Sequence, residues 1–138
     1  MTDGFVVDTS VALTWLFGEE ATPATWAIHD RLTSEPAIVP GLWHLELTNI
    51  LSIAERKGRV TAVQVYGFIA GILRLDIETD TEAPGRAFSH VLPLCRAHRL
   101  TSYDAVYIEL ALRRGLPLAT LDTAMSTAAR ELGLTLLV

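Results

Sequence analysis

Apolar positions along the chain alternate between short continuous runs and longer stretches spaced as one face of a helix. Phe5-Val6-Val7 is apolar and β-branched and ends on Asp8-Thr9-Ser10, which predicts a buried strand feeding a helix over about Val11 to Phe17. Thr22-Pro23 opens a second predicted helix, ending near Ser34 with Trp26 and Leu32 on its apolar side. Ala37-Ile38-Val39 predicts a second strand, closed by Pro40-Gly41. From Leu42 to Arg56, Trp43, Leu47, Ile50, Leu51 and Ala54 form the stripe of an amphipathic helix, which Lys57-Gly58-Arg59 ends. Thr61 caps a further helix to about Leu73, despite the weakening Gly67 and Gly71.

Asp76-Ile77-Glu78 is a short strand candidate, and Ala83 to His98 is helical in pattern with an irregularity expected at Pro93. Thr101 starts a helix carrying Tyr103 to Arg114 and stopping at Gly115. Leu116 to Leu121 reads as strand, Thr123 to Leu132 as helix and Thr135 to Val138 as a closing strand. Short strands separated by helices predict an α/β fold, a parallel sheet with helices on both faces.

Composition narrows this to one domain over residues 1–138. Half of the 138 residues are hydrophobic and a fifth are charged, enough for a single core without a disordered tract. Cys95 is the only cysteine, which removes any internal disulfide and any cysteine-rich zinc site. The start Met1-Thr2-Asp3-Gly4 lacks the features of a signal peptide, and no apolar stretch is long enough to cross a bilayer, so the expectation is a cytoplasmic protein without membrane contact. The net charge of −5 argues against a broad basic nucleic-acid surface. It leaves room for a nuclease that recruits its own cations.

Candidate chemistry lies in carboxylates. Asp8 and Asp122 directly follow predicted strands, Asp104 lies in the first turn of a helix, and Glu46 lies beside the apolar stripe of the long helix. In an open parallel sheet these positions reach one edge, where ligands bind. Each acid also has an ordinary structural use. Asp8 and Asp122 stand where helix N-caps are expected, and Thr101 to Asp104 fits a capping box. Glu46 reads otherwise as a boundary residue. Asn49, one turn beyond Glu46, is a candidate to orient it. Ser10 and Thr120 offer hydroxyls suited to a water or a phosphate oxygen, or to local capping.

Clustered carboxylates are neutralised by protons or by metal, and hard oxygen donors select Mg²⁺ or Mn²⁺. Phosphodiester hydrolysis follows from that chemistry. Other catalytic devices are missing: there is no P-loop, no nucleophile elbow and no dinucleotide fingerprint. His29, His44, His90 and His98 have no ligand spacing. A receiver-like phosphate switch would want paired acids after the first strand and a late lysine, but the one lysine is Lys57. A haloacid-dehalogenase-like phosphatase would want an aspartate where Ser10 stands.

Four segments taken together carry a resemblance. Phe5 to Val11, Leu45 to Leu51, Leu100 to Tyr107 with its Tyr103-Asp104-Ala105 block, and Leu118 to Asp122 resemble the PIN domain, and most of all the VapC toxins of toxin–antitoxin pairs. The resemblance implies a PIN-like three-layer α/β/α fold with a central parallel sheet of about five strands. It implies a Mg²⁺- or Mn²⁺-dependent endoribonuclease acting on RNA, frequent homodimers, and an antitoxin protein that threads a segment into the acidic groove. Carried over by position, Asp8, Glu46, Asp104 and Asp122 would be the catalytic, metal-binding acids, with Ser10, Asn49 and Thr120 as secondary site candidates. Thr123 to Ser126 lack the further acid that some members carry after the last aspartate, which leaves one metal or two open. A catalytically silent PIN-like module that binds RNA or protein is the alternative. Arg56, Lys57 and Arg59 read as a solvated helix end in preference to an RNA contact. Trp15, Trp43 and Tyr66 read as core or interface aromatics.

Overall fold

The computed structural model describes residues 3–138. Strands β1 (Phe5–Val7), β2 (Ala37–Pro40), β3 (Ile77–Asp80) and β4 (Leu118–Ala119) form one parallel sheet in the order β3-β2-β1-β4. Between them run helices α1 (Thr9–Thr14), α2 (Pro23–Arg31), α3 (Leu42–Arg56), α4 (Ala62–Leu73), α5 (Ala83–Arg86), α6 (Leu92–His98) and α7 (Ser102–Arg114), and α8 (Thr123–Glu131) follows β4. The layers are α/β/α, as expected.

The middle of the sheet is fully buried: Phe5, Val6, Val7, Ala37, Val39, Leu118 and Ala119 expose essentially nothing. Helix α7 is buried from Ala105 to Ala111 and packs on β1 and β2, with α6 and α8 against it. A helix enclosed on every side carries few polar groups, so the ones it does carry stand out. On the stripe of α3, Trp43, Leu47, Leu51 and Ala54 are buried. Trp26, expected on the buried side of α2, is 43% exposed, and Ile28 holds the core position.

Local chemistry explains most boundaries. Thr61 and Gln64 close a capping box on α4 through bonds of 2.9 and 3.1 Å. That cap offsets about 1 kcal/mol of the cost of Gly67 and Gly71, and the helix continues to Leu73. Gly115 ends α7 in the left-handed region, at φ 65°. Gly4, at φ 102°, lets β1 start against β2, because a Cβ there would stand 2.6 Å from the Pro36 carbonyl oxygen.

Two expectations change. The sheet has four strands, and the segment Thr135 to Val138 contributes only a single parallel bridge, Leu118 to Leu136. Pro117 turns its carbonyl to Val6 of β1, so the last segment meets β4 at Leu118, whose N–H donates to Thr135 and whose carbonyl accepts from Leu137. The irregularity expected at Pro93 falls earlier, as a π-helical turn over Ala87–Val91. Pro93 itself sits comfortably in the first turn of α6, where no N–H is needed.

Candidate active site

From β1 the chain moves outward to β2 and β3, then returns to place β4 on the other side of β1. Strand order therefore reverses between β1 and β4, and the crevice beyond the carboxyl ends at such a reversal is where open α/β sheets hold ligands. Asp8 follows β1 directly, and Asp122 follows β4 after Thr120 and Leu121.

Asp8 forms the floor and is 4% exposed. Its Oδ1 accepts the Ser10 hydroxyl at 2.6 Å and the Val11 N–H at 3.2 Å, and its Oδ2 accepts the Thr120 hydroxyl at 2.5 Å. Each hydroxyl in turn accepts a backbone N–H from the segment after β4: Leu121 to Ser10 at 2.9 Å, and Asp122 to Thr120 at 3.0 Å. Two hydroxyls thus tie the Asp8 carboxylate to the segment that carries Asp122. Ser10 and Thr120 spend their donors on Asp8, as positioning groups.

Asp8 and Asp122 are also helix N-caps, accepting from Val11 and from Met125 at 2.8 Å. The structural and functional uses coexist in one side chain. At Asp104 only half of the expected box forms: Thr101 Oγ1 accepts the Asp104 N–H at 3.2 Å, without the reciprocal bond from carboxylate to cap backbone. Glu46 is gripped by the Tyr107 hydroxyl, which donates to its Oε1 at 2.6 Å. Asn49 is exposed and makes no hydrogen bond to Glu46. Tyr107, which the sequence reading assigned no role, does the orienting. Its place one turn beyond Asp104, on the same helical face, was the available signal.

The four acids feel one another. Burial is the main force raising the Asp8 carboxyl above its ordinary range, against its hydrogen bonds, and the charge of Asp122 adds to it. Burial also raises Glu46, with Asp104 and Asp8 as further repulsive charges, and it raises Asp104 with Asp122. None of the four is in a salt bridge among the described residues. Negative charge gathered without a basic partner is the electrostatic setting that a divalent cation relieves. The donor set, four hard carboxylates, suits Mg²⁺ or Mn²⁺. As the side chains stand, no three described His, Cys, Asp or Glu residues are drawn close enough to hold a metal.

Comparison with known families decides the ancestry: the model for the PIN domain matches residues 5–131. The chain belongs to the PIN-domain family. Among solved structures, this PIN domain is similar to PAE2754 from Pyrobaculum aerophilum, with a TM-score of 0.72 and 23% identity over 99% of this chain and 92% of that one. It is also similar to FitAcB from Neisseria gonorrhoeae, with a TM-score of 0.53 and 16% identity over 96% of this chain and 95% of that one. Both likenesses are of fold. No curated protein matches this PIN domain.

Proposed function

We propose that this PIN domain is a Mg²⁺- or Mn²⁺-dependent endoribonuclease, the toxin of a toxin–antitoxin pair acting on RNA in the cytoplasm. The observation that carries the reading is the convergence of Asp8, Glu46, Asp104 and Asp122 at the strand-order reversal with no basic side chain paired to them. These four would hold the cation, which when bound supplies charge neutralisation and Lewis acidity at the phosphate. Ser10 and Thr120 fix both oxygens of Asp8, and Tyr107 fixes Glu46, so the carboxylates are aimed before substrate arrives.

A protein partner fits a second feature. Helix α4 leaves Val63, Tyr66 and Leu73 at 81, 71 and 79% exposure, beside an apolar groove of about 320 Å³ between α3 and α4. Bare apolar surface of this kind marks an interaction face, for an antitoxin or a second copy in a homodimer. The catalytically silent alternative draws on there being no three described acids close enough, as placed, to hold a metal.

The deciding experiment incubates the purified protein with RNA in Mg²⁺ or Mn²⁺ and in chelator. Cleavage is expected with metal and none with chelator; absence of cleavage in both metals, or growth arrest on expression that persists in Asp104→Asn, would favour the silent module. Tyr107→Phe removes the grip on Glu46 while keeping the ring. Mn²⁺ affinity measured by calorimetry is expected to fall about tenfold, the usual effect of losing an outer partner of a metal ligand. An unchanged affinity would take Tyr107 out of the site.

A further inference from the structure

Read along the carboxyl edge of the sheet, the acids occupy only part of it. Asp122 lies beyond β4 and Asp8 beyond β1, and the charges of Glu46 on α3 and Asp104 on α7 act on one another and on these two. Beyond β2 and β3 the edge opens into a recess of about 490 Å³, within the range of small-ligand sites. The recess adjoins the acid cluster through two elements. Tyr103 lines it and immediately precedes Asp104 on α7, and Leu42 lines it one helical turn before Glu46 on α3.

Its chemistry differs from that of the cluster. Pro40, Val91 and Val106 give it buried apolar lining. The hydroxyl residues Thr79, Thr81 and Ser102 are exposed along it. Asp80 is the only charged residue lining it, and both of its oxygens are taken by Arg113, at 2.9 and 2.8 Å. No lysine or arginine lines it, so it offers no positive side chain to a phosphate. A flat, uncharged ring with polar edges suits such a space. Tyr103 is 64% exposed at its mouth, an aromatic face next to the acids. Unpaired RNA bases are bound by stacking on such rings and by hydrogen bonds to their edges.

We propose that this recess is a base subsite, which holds one unpaired nucleobase beside the phosphate at the acids, stacked on Tyr103 and read at its edge by Thr79, Thr81 and Ser102. The inference rests on the ribonuclease reading and names its specificity determinant. Tyr103 acts here as a binding residue.

Two measurements test it. In the first, a random RNA pool is cleaved and the cut ends sequenced for the parent, Tyr103→Ala and Tyr103→Phe. The parent is expected to show a base preference at one position flanking the cut. Tyr103→Ala should erase that preference and raise KM about tenfold, the loss of one stack, while Tyr103→Phe keeps both. In the second, a 2′-O-methyl dinucleotide, which needs no cleavage to be read, is titrated into ¹⁵N-labelled parent protein. Amide shifts are expected at Thr79, Thr81, Ser102 and Tyr103. If the protein cleaves RNA but Tyr103→Ala leaves the cut profile unchanged, the subsite is overturned and the nuclease reading stands. If no RNA is cleaved but the amides shift, the nuclease reading falls and the base site stands. If the amides do not shift, the proposal is wrong, and if Tyr103→Ala instead changes the sedimenting mass, the recess belongs to a protein contact and the proposal is likewise wrong.

Discussion

Asp8→Asn is expected to lower metal-dependent RNA cleavage by at least about a hundredfold, more than the loss of an outer partner would cost, while leaving the fold intact. The amide oxygen can keep the Ser10 and Val11 bonds. The amide nitrogen would face Thr120, whose hydroxyl can accept it and swing its proton toward the Met125 sulfur, 3.8 Å away. Melting in metal-free buffer at neutral pH should therefore be as high as in the parent or higher. The sign follows from linkage. Burial raises the folded-state pKa of Asp8 above the ordinary carboxylate range, so the folded parent takes up a proton first and gains stability as pH falls from neutral through that raised value. The gain levels off once pH is below the unfolded value. In Asp8→Asn this component is absent, and only those of Glu46 and Asp104 remain. Added Mn²⁺ should raise the melting temperature of the parent and shift the variant little. Equal metal stabilisation of both proteins would remove Asp8 from the site.

Arg113→Ala is expected to be the most destabilising single change outside the acid cluster. Arg113 bonds Asp80 at 2.8 and 2.9 Å, Glu109 at 3.0 Å and Glu82 at 2.8 Å. Asp80 and Glu109 are each only 3% exposed. Arg86 still reaches Glu109, but Asp80 would be left with Arg114 at 3.5 Å as its remaining arginine. Breaking a buried ion pair from one side costs about 3–5 kcal/mol, a fall of about 10–20 °C in Tm for a domain of this size. The hydrogen bonds and charge of Arg113 hold Asp80 below its ordinary range, and at Glu109 the bonds from Arg113 and Arg86 outweigh the upward push of burial. In the parent this stability is present above the unfolded values and is lost as pH falls through the lowered folded ones. In the variant the stranded Asp80 carboxylate reverses its share of that slope, and acidification stabilises it. Thermal melts from about pH 3 to pH 8 read the reversal directly. A small loss with an unchanged pH slope would mean that the network contributes little. Arg113→Lys should recover only part of the loss, because a single ammonium cannot serve Asp80 and Glu109 with paired bonds.

Much of this architecture was legible because it rests on local signals. The β-branched run Phe5 to Val7, the stripe of α3 and the Thr61 cap each state their element within a few residues. The length of β4 was not legible, since it depends on which backbone groups meet the remote last segment, and only Leu118 does. The Arg113 network was hidden for the same reason. Asp80 and Arg113 are remote in sequence, and only the Glu109–Arg113 spacing hinted at a pair. Within the candidate site, residue type and order singled out the four acids together with Ser10 and Thr120, both of which bond Asp8, whereas the partner of Glu46 was missed. Asn49 looked like the partner of Glu46 by helical spacing, but the contact comes from Tyr107 on another helix.

The double use of Asp8 and Asp122, as cluster members and as helix caps, has an evolutionary consequence. Asparagine caps a helix about as well as aspartate, and one nucleotide change converts one codon into the other. A lineage can therefore lose the charge at either position without losing the fold. Folding exerts no selection for the charge here; under the proposed nuclease function only the chemistry would, and a form that keeps the shape without the reaction would lie a single mutational step away.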